Sequence, residues 1–248
     1  MTDGHRFTVL DIETIPCADA LSMTVRGIAS PKRQALHRIC SIAVINGIES
    51  AEGFSDVESA VFTRERLEEA RMLGCLDVVL PDPDNEGSRI VTYNGTAHDL
   101  RLLRLRQASL WMFSARKLAR WCSSPNGLHF DLMKVGFGGP SERWSLVDLC
   151  AGLGFPVREG HLRSSVASMV SQDRWDVVAE HNLMDVVGTF LAYGTWRSLE
   201  TGNDRFAATA WTSIVGMLEG FTSVNVGQAG LSSHHLLDEA RLRLRKPR

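Results

Sequence analysis

The sequence is short of three things. It has no surplus of positive charge: 27 Lys and Arg stand against 29 Asp and Glu, for a formal net charge of −2. That weighs against a protein holding nucleic acid by charge alone, but not against an enzyme that grips one strand end through bound metals. It has no Cys-x-x-Cys pair. Cys17, Cys40, Cys75, Cys122 and Cys150 are scattered and odd in number, so no disulfide framework is visible and a reduced, cytoplasmic setting is expected. Nor does it contain an apolar run near the ~20 residues that a membrane helix needs. The start "MTDGHRF" lacks the cationic and apolar regions of a signal peptide. Internal repeats and low-complexity tracts are missing too.

What is present suits a folded domain. The chain has 248 residues, 44% hydrophobic and 23% charged, ample for a core in one large domain or in one domain with a modest extension. Charge is uneven. Arg101, Arg104, Arg106, Arg116, Lys117 and Arg120 occur in a stretch without an acid, and the tail "RLRLRKPR" (241–248) is basic. Each reads as a solvated helix face or as a surface for phosphates.

Residues 6–13 read as a first strand. "HRICSIAVINGI" (37–48) reads as a second, ending in a hairpin turn at Asn46-Gly47, with a return strand over 49–57. Thr63 is placed to cap a helix that stops at Gly74. A short buried strand is expected over 88–95 and a helix over 97–107. Residues 128–133 form a strand end or a short helix. Further helices are expected over 145–154, 173–200, 205–221 and 234–246. Strands first, then alternating strand and helix, then helices: this order indicates an α/β domain with a mixed sheet.

The first strand holds a puzzle. In "TVLDIETIP" (8–16) two acids, Asp11 and Glu13, sit two residues apart in an apolar run, so they share a face. Paired buried carboxylates are costly without compensation, and a divalent cation with oxygen ligands supplies it. Two more acids follow on separate elements. Asp99 lies in the first turn of the helix after "YNGTAH". Asp185 lies in the long helix, where His181, four residues earlier, shares its face.

These residues fall in a recognisable order. "LDIETIP" matches a D-x-E strand motif. "NGTAHD" matches N-G-x-x-F-D with His98 in place of the aromatic. "HFDL" matches H-x-D-L, "SLVDLCAGLGFP" matches S-L-x-x-L…L-G, and "HNLMDVVGT" matches Y-C-x-x-D-V-x-x-T. Over residues 7 to about 195 the chain resembles DEDD-type 3′–5′ exonucleases of the RNase H-like fold. More narrowly, it is similar to exonucleases related to the proofreading domain of family-B DNA polymerases.

The resemblance implies an RNase H-like mixed β-sheet flanked by helices over residues 1–200, and a C-terminal helical extension over 201–248. It implies hydrolysis of phosphodiester bonds at the 3′ end of single-stranded DNA or RNA, DNA preferred, by two divalent ions, Mg²⁺ or Mn²⁺. Asp11, Glu13, Asp99 and Asp185 would hold the metals, with Asp11 bridging them. Thr14, Ile15, Asn94, Gly95 and His129 would serve the substrate strand. Asn94 and Gly95 would chiefly form the turn that aims Asp99. His129 and Asp131 would chiefly support the structure. His181 stands where this group usually carries Tyr. An imidazole titrates near neutrality, so His181 is expected as the base that takes a proton from water.

Two other classes fit the same residues: an impaired RNase H-like domain that binds nucleic acid or a protein without cutting, and a phosphohydrolase of nucleotides. The C-terminal helices are open to a second copy of the chain or a protein partner, and no membrane association is expected.

Overall fold

A computed structural model describes residues 4–24, 33–123, 129–137, 144–155, 157, 165–219, 231 and 234–245. The Gly/Ser-rich connection at 222–233, apart from Leu231, and the end of the basic tail at 246–248 lie outside the described residues.

Among the described residues five strands form one mixed sheet. β1 (His5–Pro16) pairs antiparallel with β2 (His37–Ser50), and β2 pairs antiparallel with β3 (Gly53–Thr63). On its other side β1 pairs in parallel with β4 (Arg89–Thr92), which pairs in parallel with β5 (His129–Asp131). The order β3-β2-β1-β4-β5 puts the two-acid strand at the centre. This is the RNase H-like mixed sheet that the motifs imply.

Alternation along β1 divides the core. Phe7 and Val9 point to one face, with Ala43 and Ile45 of β2. They are covered by Val186, Val187 and Phe190 of α8 (Trp175–Thr201). Leu10 and Ile12 point to the other, with Ile42 and Val44. That face is covered by α2 (Glu69–Val79), α3 (Asp99–Ser109) and α4 (Arg116–Ser123) through Met72, Leu76, Leu103 and Trp121. Each of the Val, Leu, Ile, Phe and Met side chains among them contributes about 1.5–3 kcal/mol by leaving water. Asp11 and Glu13 continue the α8 face by the same alternation.

α8 is buried without interruption from Asn182 to Gly194. A helix covered all round needs a second layer. Here that layer is α6 (Leu146–Gly152) and α9 (Arg205–Glu219). Gly188 permits the approach: a Cβ there would lie 2.8 Å from Val157 and 3.2 Å from Cys150 Sγ. Phe206, Trp211 and Ile214 of α9, with Leu237 and Ala240 of α10 (His235–Arg245), belong to the same hydrophobic cluster as α8. The described residues also form three short helices: α1 (Ala18–Ser22), α5 (Leu132–Val135) and α7 (Val166–Ser171). Among the described residues no helix is long and apolar enough to cross a membrane. All five cysteines are free thiols.

Two expectations are corrected. Asn46-Gly47 is not a turn. β2 runs through it to Ser50, and the reversal occurs at Ala51-Glu52, before Gly53 at φ 101°. Asn46 Oδ1 accepts a 2.6 Å hydrogen bond from Thr8 Oγ1 on β1, which holds it in the ladder. The register instead slips between Asn46 and Ile48, and Asp56 on β3 takes φ 50°, as at a β-bulge. The helix expected from Thr63 to Gly74 is α2, starting at Glu69, because Thr63 still pairs with Ser41. Glu69 is buried and fixes that start. It accepts from Ile39 N (2.9 Å) and takes a two-pronged bond from Arg106 (2.7 Å each).

Candidate metal centre

β1 is held on both sides by neighbouring strands and carries Asp11 and Glu13 toward α8. One turn of α8 brings His181 and Asp185 to meet Glu13. Glu13, His181 and Asp185 each offer a ligand atom, all within 4.8 Å of one another. His181 Nε2 lies 3.7 Å from Glu13 Oε1. The place is largely screened from water, with Asp185 only 8% exposed. A bulge between Glu13 and Thr14 shifts the β1–β2 register at this point. Cys40 lies opposite it, and burial together with the Glu13 charge pushes its thiol up to about 12.

Asp11 is anchored beside this cluster by a residue that motif reading missed. Asn182 is fully buried on α8. With its amide set so that both ends are satisfied, Nδ2 donates to Asp11 Oδ2 at 2.9 Å. Its Oδ1 accepts from Ser41 Oγ (2.8 Å) and Ala43 N (3.3 Å). The available signal was a polar residue placed between His181 and Asp185 within a buried stripe. A buried amide needs partners, and the nearest strand offers a carboxylate.

Asp99 is 2% exposed and begins α3. The turn before it is built by the motif. Asn94 takes φ 66°, and its carbonyl accepts from Ala97 N and His98 N (3.1 Å each). Gly95 N donates to Thr92 Oγ1 (3.1 Å), and a Cβ on Gly95 would sit 2.3 Å from that oxygen. Asp131 straps the turn, its carboxylate accepting from Asn94 N (2.8 Å) and Thr96 N (3.0 Å). His129 contacts Thr92 Oγ1 at 2.8 Å. Burial lowers the pKa of His129, partly opposed by the charges of Asp131 and Asp99.

His98 holds the position of the family's aromatic and adds a polar contact, with Nδ1 3.1 Å from Asp99 Oδ1. That hydrogen bond is the main cause of a raised His98 pKa, and the Glu13 charge adds to it. Glu13 and Asp99 therefore act on one imidazole from two elements. Among the described residues, the three-donor cluster includes neither Asp11 nor Asp99. Thr14 Oγ1 contacts His37 Nδ1 (3.2 Å), and Ile15 is buried.

The basic stretch is divided. Arg106 is committed to Glu69, Lys117 to the Val78 and Leu80 carbonyls, and Arg120 to Asp84. Arg101, Arg104 and Arg116 are exposed. Among the tryptophans, Trp121 is buried and Trp196 packs on Phe130, whereas Trp111 is 80% exposed.

No curated protein matches the chain by sequence. Among solved structures it is similar to the family-B DNA polymerase of the archaeon Pyrobaculum calidifontis, at 17% identity and TM-score 0.47, over 87% of this chain and 28% of that one. It is similar to a product-bound exonuclease I at 15% identity and TM-score 0.42, over 76% of this chain and 47% of that one. A third is E. coli exonuclease I in complex with a 5cy-dT13 oligonucleotide, at 13% identity and TM-score 0.42, over 87% and 45%. The chain thus spans less than half the length of each. A family model described as a predicted 3′–5′ exonuclease related to the exonuclease domain of PolB matches residues 31–219. That span contains Asp99, His181 and Asp185 and begins after Asp11 and Glu13. By this match the chain belongs to the family of predicted 3′–5′ exonucleases related to the exonuclease domain of family-B DNA polymerase.

Proposed function

We propose that the protein is a metal-dependent 3′–5′ exonuclease acting on single-stranded nucleic acid, with DNA preferred to RNA. The observation that carries this is the convergence of Glu13, His181 and Asp185 within 4.8 Å, with Asp11 fixed alongside by Asn182. Family membership supports the reaction class, and the relation to a DNA polymerase domain supports the choice of DNA.

The donor set fits divalent cations. Mg²⁺ and Mn²⁺ take carboxylate oxygens, and the clustered acids gain from a cation that relieves their repulsion. Glu13 and Asp185 would hold one ion, Asp99 the other, and Asp11 would contact both. When bound, such ions activate a water and offset the charge on the leaving oxygen. In the reaction, water adds at the terminal phosphorus and the P–O3′ bond breaks. A nucleoside 5′-monophosphate departs, and the shortened strand keeps a 3′-hydroxyl.

The chain's own residues supply the positioning. Asn182 orients Asp11. The Asn94–His98 turn, strapped by Asp131, aims Asp99. His98 donates to Asp99 when protonated. His181 presents Nε2 to the same space as Glu13.

The test uses 5′-labelled single-stranded DNA and RNA of equal sequence, incubated with Mn²⁺ or with EDTA. The expected result is a ladder of products shortened from the 3′ end, faster on DNA and abolished by EDTA. Binding without shortening would favour the non-cutting alternative. Activity on nucleotides alone would favour the phosphohydrolase.

A further inference from the structure

His181 is where this chain departs from the family pattern, since an imidazole stands at the tyrosine position. The sequence alone suggests a general base. The structure suggests a different use of the same nitrogen. His181 and Asp185 are four residues apart on α8, so both project from one helix face, the spacing by which helices offer two ligands to one cation. Glu13 faces them from the central strand. Nε2 is the His181 nitrogen turned to Glu13, at 3.7 Å, and all three donor atoms lie within 4.8 Å.

Two donors on one ion at about 2.1 Å each stand about 3.0–3.4 Å apart for octahedral to tetrahedral angles. The 3.7 Å between His181 Nε2 and Glu13 Oε1 therefore needs to close by about 0.3–0.7 Å, and the remaining pairs start from within 4.8 Å. At 3.7 Å the pair stands at ion-pair distance, longer than a direct hydrogen bond, a separation that a shared cation would bridge. The donors sit on stiff supports: β1 pairs with β2 through Glu13, opposite Ser41, and α8 is enclosed from Asn182 to Gly194.

We propose that His181 Nε2 is a direct ligand of a divalent cation shared with Glu13 and Asp185. This makes the centre a mixed nitrogen–oxygen site for a first-row transition ion, selecting Mn²⁺ over Mg²⁺. The inference rests on the proposed exonuclease site. Its chemical basis is that Mg²⁺ is a hard ion held by oxygens and reluctant to lose water, whereas imidazole suits transition metals. A nitrogen that donates its lone pair to a cation does not accept a proton from water. The ligand role and the general-base role of Nε2 therefore exclude each other.

The experiment uses the full chain with Mn²⁺ alone, read by pulsed electron paramagnetic resonance and by titration calorimetry. Wild type is expected to show ¹⁴N coupling from a directly bound imidazole. H181Q should lose that coupling and bind Mn²⁺ at least tenfold more weakly. H181Y carries the family's usual residue and guards against a folding defect in H181Q. It should also lose the coupling, and its Mn²⁺-to-Mg²⁺ affinity ratio should fall at least tenfold. Mn²⁺ bound to wild type without ¹⁴N coupling, coupling that survives H181Q, an unchanged affinity ratio or no Mn²⁺ binding would each overturn the proposal. The exonuclease reading fails separately: a protein that shows the coupling yet shortens no strand keeps the metal site and loses the nuclease. One that shortens strands without the coupling does the reverse.

Discussion

Asn182 on α8 donates to Asp11 Oδ2 on β1 at 2.9 Å while its other end accepts from Ser41 on β2. One buried amide thus joins the helix that carries His181 and Asp185 to the strand that carries Asp11 and Glu13. Asn182→Ala leaves Asp11 and Ser41 short of a partner, a deficit worth about 1–3 kcal/mol. The expected outcome is a lower Tm and weaker Mn²⁺ binding, because Asp11 is no longer oriented. Asn182→Asp sets a second negative charge against Asp11, so its Tm in EDTA should be lower still, and Mn²⁺ should raise it more than it raises that of wild type. Thermal unfolding of both variants with and without metal checks this.

The turn that aims Asp99 tolerates no side chain at Gly95, where a Cβ would stand 2.3 Å from Thr92 Oγ1. Gly95→Ala should cost about 1–3 kcal/mol, the usual range for forced overpacking. It should slow strand shortening, because the displaced turn carries Asp99. Tm and rate of the variant beside wild type measure both effects.

His129 provides a pH signature. Burial holds its folded pKa below the ordinary 6.5, so the unfolded chain binds the proton more readily than the folded one. Stability from this group is present above pH 6.5 and is lost as pH falls from there toward the lower folded value. Wild type should therefore lose more Tm between pH 7 and pH 5 than His129→Gln, which does not titrate. Parallel slopes for the two proteins would show that His129 contributes nothing to acid lability.

A second polar network lies at the other end of the α8 face. Tyr193 Oη donates to Glu49 Oε2 (2.6 Å) and accepts from Arg89 Nη1 (2.7 Å), while Arg197 Nε reaches Glu49 Oε1 (2.7 Å). The network ties α8 to β2 and β4. Tyr193→Phe strips one bond from each of two partly or fully buried ions and should destabilise by about 1–3 kcal/mol. Below its Tm the variant should shorten strands at the wild-type rate, since no member of this network belongs to the proposed metal centre.

Much of this was legible in the sequence because motif residues carry their own local geometry. The spacing of Asp11 and Glu13 set their common strand face, and the spacing of His181 and Asp185 set their common helix face. The burial of the first strand followed from its apolar run. What escaped reading depends on contacts distant in sequence. Asn46-Gly47 has the composition of a hairpin turn, but Thr8, 38 residues away, holds Asn46 within the strand. Thr63 looks like a helix cap, but its pairing with Ser41 keeps it in β3. Asn182 reads as an interruption of an apolar stripe until the partner strand is in place. Local propensity lost in each case to a tertiary partner.

The central claim is that acids from β1, α3 and α8 act as one cation-binding unit that cleaves strands. Asp11→Asn tests it most directly, because it removes one charge and nearly preserves shape. The measurement is the rate of 3′-end shortening on single-stranded DNA in Mn²⁺, with circular dichroism melting of the same samples. The account predicts a rate lowered at least a thousandfold with the melt retained. A folded D11N protein that shortens strands within tenfold of wild type would contradict it.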